Sequence, residues 1–212
     1  MNFLELINKC LLELNYRQVN SFSELVKNEH KRIKSIMNVI NNEICHQEGW
    51  NFLLRRKNMV LPANETEIDN IIGGRILYLL IDGEKYRYTQ NFEPFITGRA
   101  CQKIYSIFND KLLFPKFNKE KNIEIIYYTS NSVVDNQGNE KTTLDSGNDI
   151  SLIPMPFVEE LLVYGTCLRL KGNPQHNRFS YWMSMYKEAL LNLKSKSSVY
   201  ANNTPQVFLY RE

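Results

Sequence analysis

Few residues in this sequence have a type and spacing suited to catalysis or metal binding. The three histidines are His30, His46 and His176, and both His30 and His176 lie in polar stretches. A solvated face is the ordinary place for such residues, and no partner spacing supports a catalytic role. Cys45 and His46 are adjacent, and adjacent side chains on a helix do not converge on one metal ion. We therefore predict no catalytic histidine and no metal site.

Two further motifs contain residue types that can take part in catalysis or phosphate binding. Glu159 and Glu160 stand at the start of a predicted helix, where acidic residues favour the positive end of the helix dipole and neighbouring carboxylates point apart. Gly73-Gly74 lacks the following Gly or Lys-Ser/Thr of a phosphate-binding loop, which favours a turn or a bulge. The sequence therefore predicts no catalytic residues and no cofactor, and we expect a protein that is not an enzyme.

One segment combines basic and aromatic residues. Arg55-Arg56-Lys57 follows closely on Trp50 and Phe52. In a nucleic-acid-binding protein, the cations would contact phosphates and the rings would stack on bases. We favour the other interpretation, in which the aromatic residues belong to the core and the basic run is solvated.

The composition is that of a globular protein. Hydrophobic residues make up 43% of the chain and charged residues 23%, so the chain can bury a real core. The net charge of +3 is milder than the clustered excess of a free nucleic-acid binder, although it permits a protein that lines a DNA passage. Cys10, Cys45, Cys101 and Cys167 include no CxxC pair, and we expect them to be reduced and buried.

The sequence favours synthesis in the cytoplasm. The first residues, Met1 to Glu5, include an early acid and lack the basic region of a signal peptide. The longest apolar run, Ile76 to Ile81, is too short to cross a bilayer.

The N-terminal part of the chain is predicted to be helical. Apolar residues recur at i, i+3, i+4 and i+7 over residues 2–14, which indicates an amphipathic helix. Ser21-Phe22-Ser23-Glu24 matches a capping box, so a second helix is expected over about residues 22–46.

The middle of the chain reads as short strands. Asp82-Gly83 and Asn109-Asp110 each separate two strand-like runs and predict two hairpins. Asn122 to Tyr128 predicts a further strand, so residues 50–145 look like a small antiparallel β module. The polar stretch Asp135 to Asp149 is expected to be a surface loop or arm.

Helices return after this module. One should run from about Pro156 to Leu170, and Asn173-Pro174 should start the next, which makes an αα-hairpin. The predicted fold class is α+β: a helical bundle formed by N- and C-terminal helices with an inserted small antiparallel β module. The predicted parts are 1–48 (N-terminal helices), 49–150 (inserted β module with a loop arm), 151–196 (C-terminal αα-hairpin) and 197–212 (extended tail).

The tail contains candidate partner-binding residues. They follow a polar stretch without a helix signal and are Tyr200, Val207, Phe208, Leu209 and Tyr210. An extended apolar tail either packs on its own domain or docks on a neighbour, for example by adding a strand to a sheet edge.

Three stretches in the same order resemble the tail tubular, or head-to-tail adaptor, proteins of short-tailed bacteriophages. They are Phe3-Leu4-Glu5-Leu6-Ile7-Asn8, then Glu48-Gly49-Trp50-Asn51-Phe52-Leu53, then the run from Ile104 to Leu170. The run contains Leu112-Leu113-Phe114-Pro115, the paired tyrosines after Ile123, and Asp149-Ile150-Ser151-Leu152-Ile153-Pro154. The stretch 58–100 matches nothing in that family.

The resemblance implies a structural virion protein of the neck or tail, made in the host bacterial cytoplasm. Such a protein forms a ring, expected to be a dodecamer, that binds the portal above and tail proteins below. DNA would pass through the lumen during ejection without sequence recognition, and neither a membrane nor a cofactor is implied. The alternative function is a small nucleic-acid-binding accessory protein that uses the segment from Trp50 to Lys57.

Overall fold

A computed structural model describes residues 1–100 and 103–197 of the chain. The chain divides into two compact units. One consists of Met1–Leu53 together with the chain from Ser130 onward, and we call it the helical unit. The other is Leu54–Thr129, and we call it the sheet unit. Residues 130–150 therefore belong to the helical unit, although the sequence predicts them as part of the inserted β module.

The helices lie mainly in the helical unit. In chain order they are α1 (Phe3–Glu13), α2 (Asn28–Gln47), α3 (Glu93–Ile96), α4 (Phe157–Glu159), α5 (Gly165–Leu170) and α6 (Phe179–Ser197). A π-helical turn, Glu160–Tyr164, joins α4 and α5 into one continuous helix. Two short 3-10 turns, Phe22–Glu24 and Asn51–Leu53, precede and follow α2.

Ten strands form two sheets within the described residues. They are β1 (Leu54–Leu61), β2 (Glu67–Asp69), β3 (Gly74–Ile81), β4 (Glu84–Tyr88), β5 (Ile104–Phe108), β6 (Lys111–Leu113), β7 (Lys121–Thr129), β8 (Val133–Val134), β9 (Glu140–Lys141) and β10 (Ile150–Ser151). The larger sheet belongs to the sheet unit and has the order β1-β7-β3-β4-β5-β6-β2. The smaller one, β10-β8-β9, belongs to the helical unit.

The prediction of a helical bundle with a small inserted β module is wrong. The dominant element is the nearly closed seven-stranded sheet, accompanied within the described part of the chain by five helices when α4, the π-helical turn and α5 are counted as one. The sheet is also mixed, because β4 and β5 run parallel. Several strands have only three to five residues, too few for their alternation of apolar and polar residues to stand out in the sequence.

Both predicted hairpins are confirmed. Asp82 and Gly83 connect β3 to β4 with φ angles of 49° and 82°, and Asn109 and Asp110 connect β5 to β6 with 47° and 56°. Positive φ at both central residues is the type I′ geometry that matches the twist of the flanking strands. The turns bring together the apolar core of the sheet unit, which consists of Leu61, Ile72, Leu79, Ile81, Tyr86, Tyr105, Leu112, Phe114, Ile123 and Ile125.

The second helix begins later than predicted. The hydroxyl of Ser21 donates to the carboxylate of Glu24 at 3.1 Å, and no side-chain capping bond forms at Ser21. Only one 3-10 turn follows, and α2 starts at Asn28. The two residues of the expected capping box bind each other's side chains, so the helix does not nucleate there.

The last helix also begins later than predicted. The Oδ1 of Asn173 accepts the backbone N–H of Gln175 at 3.0 Å, and its carbonyl accepts the N–H of His176 at 2.9 Å. These bonds close a turn, so α6 starts at Phe179 and Pro174 is not its first residue.

Gly165 allows the helices of the helical unit to approach closely. A Cβ atom at this position would lie 2.9 Å from a ring carbon of Tyr186 on α6 and 3.2 Å from Cδ1 of Ile40 on α2. The lack of a side chain at Gly165 therefore lets α5 pack against both helices at once.

The stretch that was expected to form a surface loop or arm is instead folded onto α2. Asn38 donates from Nδ2 to the carbonyl of Leu144 at 2.9 Å and accepts the N–H of Leu144 at 2.7 Å. The fully buried Asn41 donates to the carbonyl of Ser132 at 3.2 Å and accepts the hydroxyl of Ser151 at 2.6 Å. These bonds tie α2 to both ends of the segment that follows the sheet unit.

Asp149 links this segment to the start of α1. Its buried carboxylate accepts the N–H groups of Asp145 and Ser146 at 2.8 and 2.7 Å and pairs with Lys141 at 2.8 Å. Its carbonyl accepts the N–H of Phe3 at 2.8 Å, one of the donors that an α-helix leaves free in its first turn.

We expect Asn41→Ala to lower the free energy of unfolding by about 2–3 kcal/mol, because the buried carbonyl of Ser132 and hydroxyl of Ser151 would each lose a partner. Urea unfolding followed by circular dichroism measures this change. Asn192→Ala, at an exposed site on α6, is the matched control. Equal stability of the two variants would contradict the role assigned to Asn41.

We expect the stabilising effect of Asp149 to depend on pH. Burial raises the pKa of this carboxyl, but Lys141 and the N–H groups of Ser146 and Asp145 outweigh burial and lower it below its usual value. The stabilisation is therefore present above the unfolded-state pKa of about 3.9 and is lost as the pH falls through the folded-state pKa.

The stability difference between the wild type and Asp149→Asn should accordingly be largest near neutral pH and shrink below about pH 4. Urea unfolding over a pH series measures it, with the exposed Glu120→Gln as the control. A difference that stays constant down to low pH would contradict the assignment.

Candidate functional site

The candidate partner-binding residues of the tail lie outside the described residues. This applies to Tyr200, Val207, Phe208, Leu209 and Tyr210. Docking of the tail on a neighbour therefore stays a prediction.

Of the two aromatic residues in the basic-aromatic segment, Trp50 belongs to the core of the helical unit and Phe52 is half-buried. Trp50 is fully buried, and its indole N–H donates to the carbonyl of Ile44 at 2.6 Å. The ring of Phe52 stacks on Trp50 with 5.7 Å between centroids. The interpretation of Trp50 as a core residue is confirmed, and its ring is not available for stacking on a base.

The basic part of the segment lies on β1, an edge strand of the large sheet. Side chains alternate along a strand, so Arg55 and Lys57 point to one face and Arg56 to the other. Arg56 pairs with Glu124 at 2.7 Å on the neighbouring strand β7. The three cations therefore do not share one face.

The histidines differ from the expectation at one position. His30 is only 6% exposed, and its Nδ1 has no hydrogen-bond partner in the described part of the chain, so its predicted solvated position is wrong. His46 is exposed with its Nδ1 2.7 Å from the carbonyl of Asn42, and the ring of His176 stacks on Trp182 at 5.0 Å. The signal for His30 was its spacing, because it stands three residues before the buried Ile33.

The cysteines that the structure describes are packing residues. Cys10, Cys45 and Cys167 are free and buried, as predicted, whereas Cys101 lies outside the described residues. The sulfur atoms of Cys10 and Cys167 lie 3.7 Å apart. The hydrogen bond to Cys167 and burial raise the pKa of Cys10 well above its usual value, and burial raises the pKa of Cys45 to about 12. Cys10 and Cys45 therefore stay protonated at neutral pH and are poor nucleophiles.

The adjacent carboxylates of Glu159 and Glu160 have different surroundings. Glu159 pairs with Lys9 of α1. Burial, together with the charges of Glu188 and Glu159, raises the pKa of Glu160. Within the residues that the structure describes, no cluster of three or more His, Cys, Asp and Glu side chains is suited to hold a metal ion. Across these same residues, no helix has both the length and the apolar character needed to span a membrane.

An exposed aromatic pair lies on the sheet unit. Phe92 and Phe108 are 40% and 38% exposed, and their rings stack with 4.6 Å between centroids. The neighbouring α3 adds Ile96, which is 65% exposed. We call Phe92, Ile96 and Phe108 the aromatic surface. Rigid aromatic side chains at a surface are typical of protein contacts, so this arrangement is suited to binding.

Comparison with known proteins adds no assignment: no family model matches the chain, and a search of curated proteins finds no significant match.

Proposed function

We propose that this protein is a structural virion protein, a subunit of the adaptor ring that joins the portal to the tail of a short-tailed bacteriophage. The observation that best supports the proposal is the order in which helices and strands follow one another along the chain. Residues before Leu54 and described residues after Thr129 form the helical unit, and the β-rich sheet unit lies between them in the sequence. The three stretches that resemble the adaptor family follow the same order, the first in α1, the second between α2 and β1, and the third from β5 to the end of α5.

The distribution of exposed apolar side chains supports a ring. A subunit of a closed ring needs two different contact surfaces, because it meets one neighbour on each side. The helical unit exposes Leu12 and Leu191 at 60% and 67%, and the sheet unit carries the aromatic surface. Apolar groups on both units are therefore available for contacts with neighbours, the portal and tail proteins.

The charge of the chain fits a channel through which DNA passes. A surface rich in uncompensated cations would bind the phosphate backbone and slow its passage. The formal net charge is +3, and the basic residue Arg56 is paired with Glu124. In this proposal, the subunit works mechanically, holding the portal and tail together around a lumen that does not retain DNA.

The alternative, a nucleic-acid-binding accessory protein, has less support. It requires the rings near Arg55, Arg56 and Lys57 to be accessible to bases. Trp50 is fully buried, and the three basic side chains do not share one face of β1.

We expect the purified protein to form a symmetric ring on the portal encoded by the same genome. Cryo-electron microscopy of the mixture tests this, with a pull-down as a simpler assay. A chain that ends at Ser197 keeps the whole of α6 and removes only the tail. If the tail docks on a neighbour, this shortened chain should lose most of its portal binding.

The opposite pattern would count against the adaptor role. Absence of portal binding by the full chain, together with DNA binding by the monomer that weakens steeply with salt, would favour the nucleic-acid-binding alternative. Portal binding that is equal with and without the tail would keep the adaptor role and reject tail docking.

The aromatic surface offers a second test. We expect the double variant Phe92→Ser, Phe108→Ser to weaken assembly on the portal by about tenfold or more, because aromatic side chains often dominate interface energies. Circular dichroism should show the wild-type fold, since both rings are partly exposed. Asn118→Ser with Lys119→Ser, at exposed polar sites of the same unit, is the control. Unchanged assembly of the aromatic variant would exclude this surface from the contacts.

A further inference from the structure

The sheet unit has one long strand edge that no neighbouring strand covers. Its seven-stranded sheet begins with β1 and ends with β2, and the described residues add no strand beyond either one. β1 has eight residues, contains no proline and pairs with β7 without a bulge, whereas β2 has only three residues. Long and regular edges are templates for a further strand, so β1 is the edge suited to accept one.

The register of the sheet shows which backbone groups of β1 face outward. The carbonyl of Asn122 on β7 accepts the N–H of Asp82, so Asn122 faces the β3 side. Backbone groups alternate in direction along a strand, so the residue after Asn122 faces β1, where its partner is Met59. The N–H and C=O groups of Asn58 and Val60 therefore point away from β7, and no group in the described part of the chain bonds to them.

This outward side of β1, from Arg56 to Val60, is called the open edge, and it borders a groove that offers apolar contacts. The groove has a volume of about 820 Å³, and its lining includes Val60, Ile68 of β2 and the neighbouring Ile71. Val60 is 50% exposed and Ile71 57% exposed. An added strand would therefore bury apolar side chains as well as gain hydrogen bonds from β1, which is how extended peptides bind sheet edges.

The tail after α6 has a sequence suited to this edge. Residues 206–210 read Gln-Val-Phe-Leu-Tyr, a run that is rich in strand-forming residues, contains no Gly or Pro, and lies outside the described residues. The open edge spans the same number of residues. A second β1 strand is a poorer occupant, because each strand carries the three cations Arg55, Arg56 and Lys57, and like charges on paired strands are destabilising.

We propose that the open edge binds residues 206–210 of a second copy of this chain as an added strand. Each subunit carries both the donor segment and the acceptor edge, so successive copies are joined head to tail, as the contacts of a closed ring require. The apolar side chains of the tail then pack on Val60 and Ile71. This contact requires neither the portal nor a tail protein, so it can fail while the adaptor role holds, and it can hold while the adaptor role fails.

Surface plasmon resonance with a synthetic peptide of residues 203–212 tests the proposal. The full chain is immobilised sparsely, so that subunits do not meet, and the chain that ends at Ser197 serves as the comparison. We expect saturable binding with a dissociation constant of about 10–100 μM, because so short a strand makes few hydrogen bonds. Both chains should bind with equal affinity, since an isolated subunit leaves its own edge open.

Two substitutions at Asn58 locate the contact. Asn58→Pro removes the outward N–H and should weaken peptide binding by about tenfold or more. Proline is tolerated at an edge position whose N–H faces solvent, so circular dichroism should show the wild-type fold. Asn58→Ala is the matched control, because it keeps this N–H and should bind like the wild type.

Methylated peptides test the strand geometry without changing the protein. In an added strand, only alternate N–H groups face the open edge. One peptide is N-methylated at Val207 and Leu209, and the other at Phe208 and Tyr210, so each loses a different set of donors. We expect one of them to bind like the unmodified peptide and the other about tenfold more weakly or worse.

Four results would overturn the proposal. The first is no saturable binding of the peptide to either chain. The second is binding to the chain that ends at Ser197 alone, which would place the tail on the edge of its own subunit. The third is equal affinity of the wild type and of Asn58→Pro folded like the wild type. The fourth is equal affinity of the two methylated peptides, which would exclude a strand.

Discussion

The fold of the helical unit depends on the hydrogen bonds made by residues 132–151, the segment in which the chain returns from the sheet unit. The amides of Asn38 and Asn41 bind backbone and side-chain groups of the returning segment, and Asn41 is completely buried. The same segment supplies carbonyls to the first turn of α1, from Gly147 to Leu4 and from Asp149 to Phe3. Because buried amides and free helix donors cost stability when unpaired, α1 and α2 require this segment to reach their native state.

This dependence on distant partners explains which parts of the fold the sequence could predict. The two hairpins follow from Asp82-Gly83 and Asn109-Asp110, whose preference for positive φ is local. The burial of Asn41 depends on Ser132 and Ser151, which are 91 and 110 residues away in the chain. No local sequence pattern identifies such distant partners, so the sequence alone does not distinguish the buried Asn41 from a solvent-exposed polar residue on a helix.

The same limit applies to the candidate sites. His30 stands among charged residues in the sequence, and only the packing around α2 shows that its imidazole is buried beside a cavity. The extent of the large sheet was missed for a related reason, because short strands such as β2 gain their stability from pairing with neighbours and not from their own sequence. By contrast, Trp50 was correctly placed in the core, since a large aromatic side chain is rarely left in water.

A protein that binds its partners through exposed apolar side chains must remain soluble until it meets those partners. Phe92 and Phe108 stack on each other, which hides one face of each ring from water in the free subunit. The exposed apolar groups of the helical unit, such as Leu12 and Leu191, are single side chains on different helices and not one continuous run. Single exposed side chains bury too little area to hold two free subunits together firmly. In the proposed adaptor role, several weak contacts act at once only when the portal aligns the subunits, so assembly would occur on the portal and not in solution.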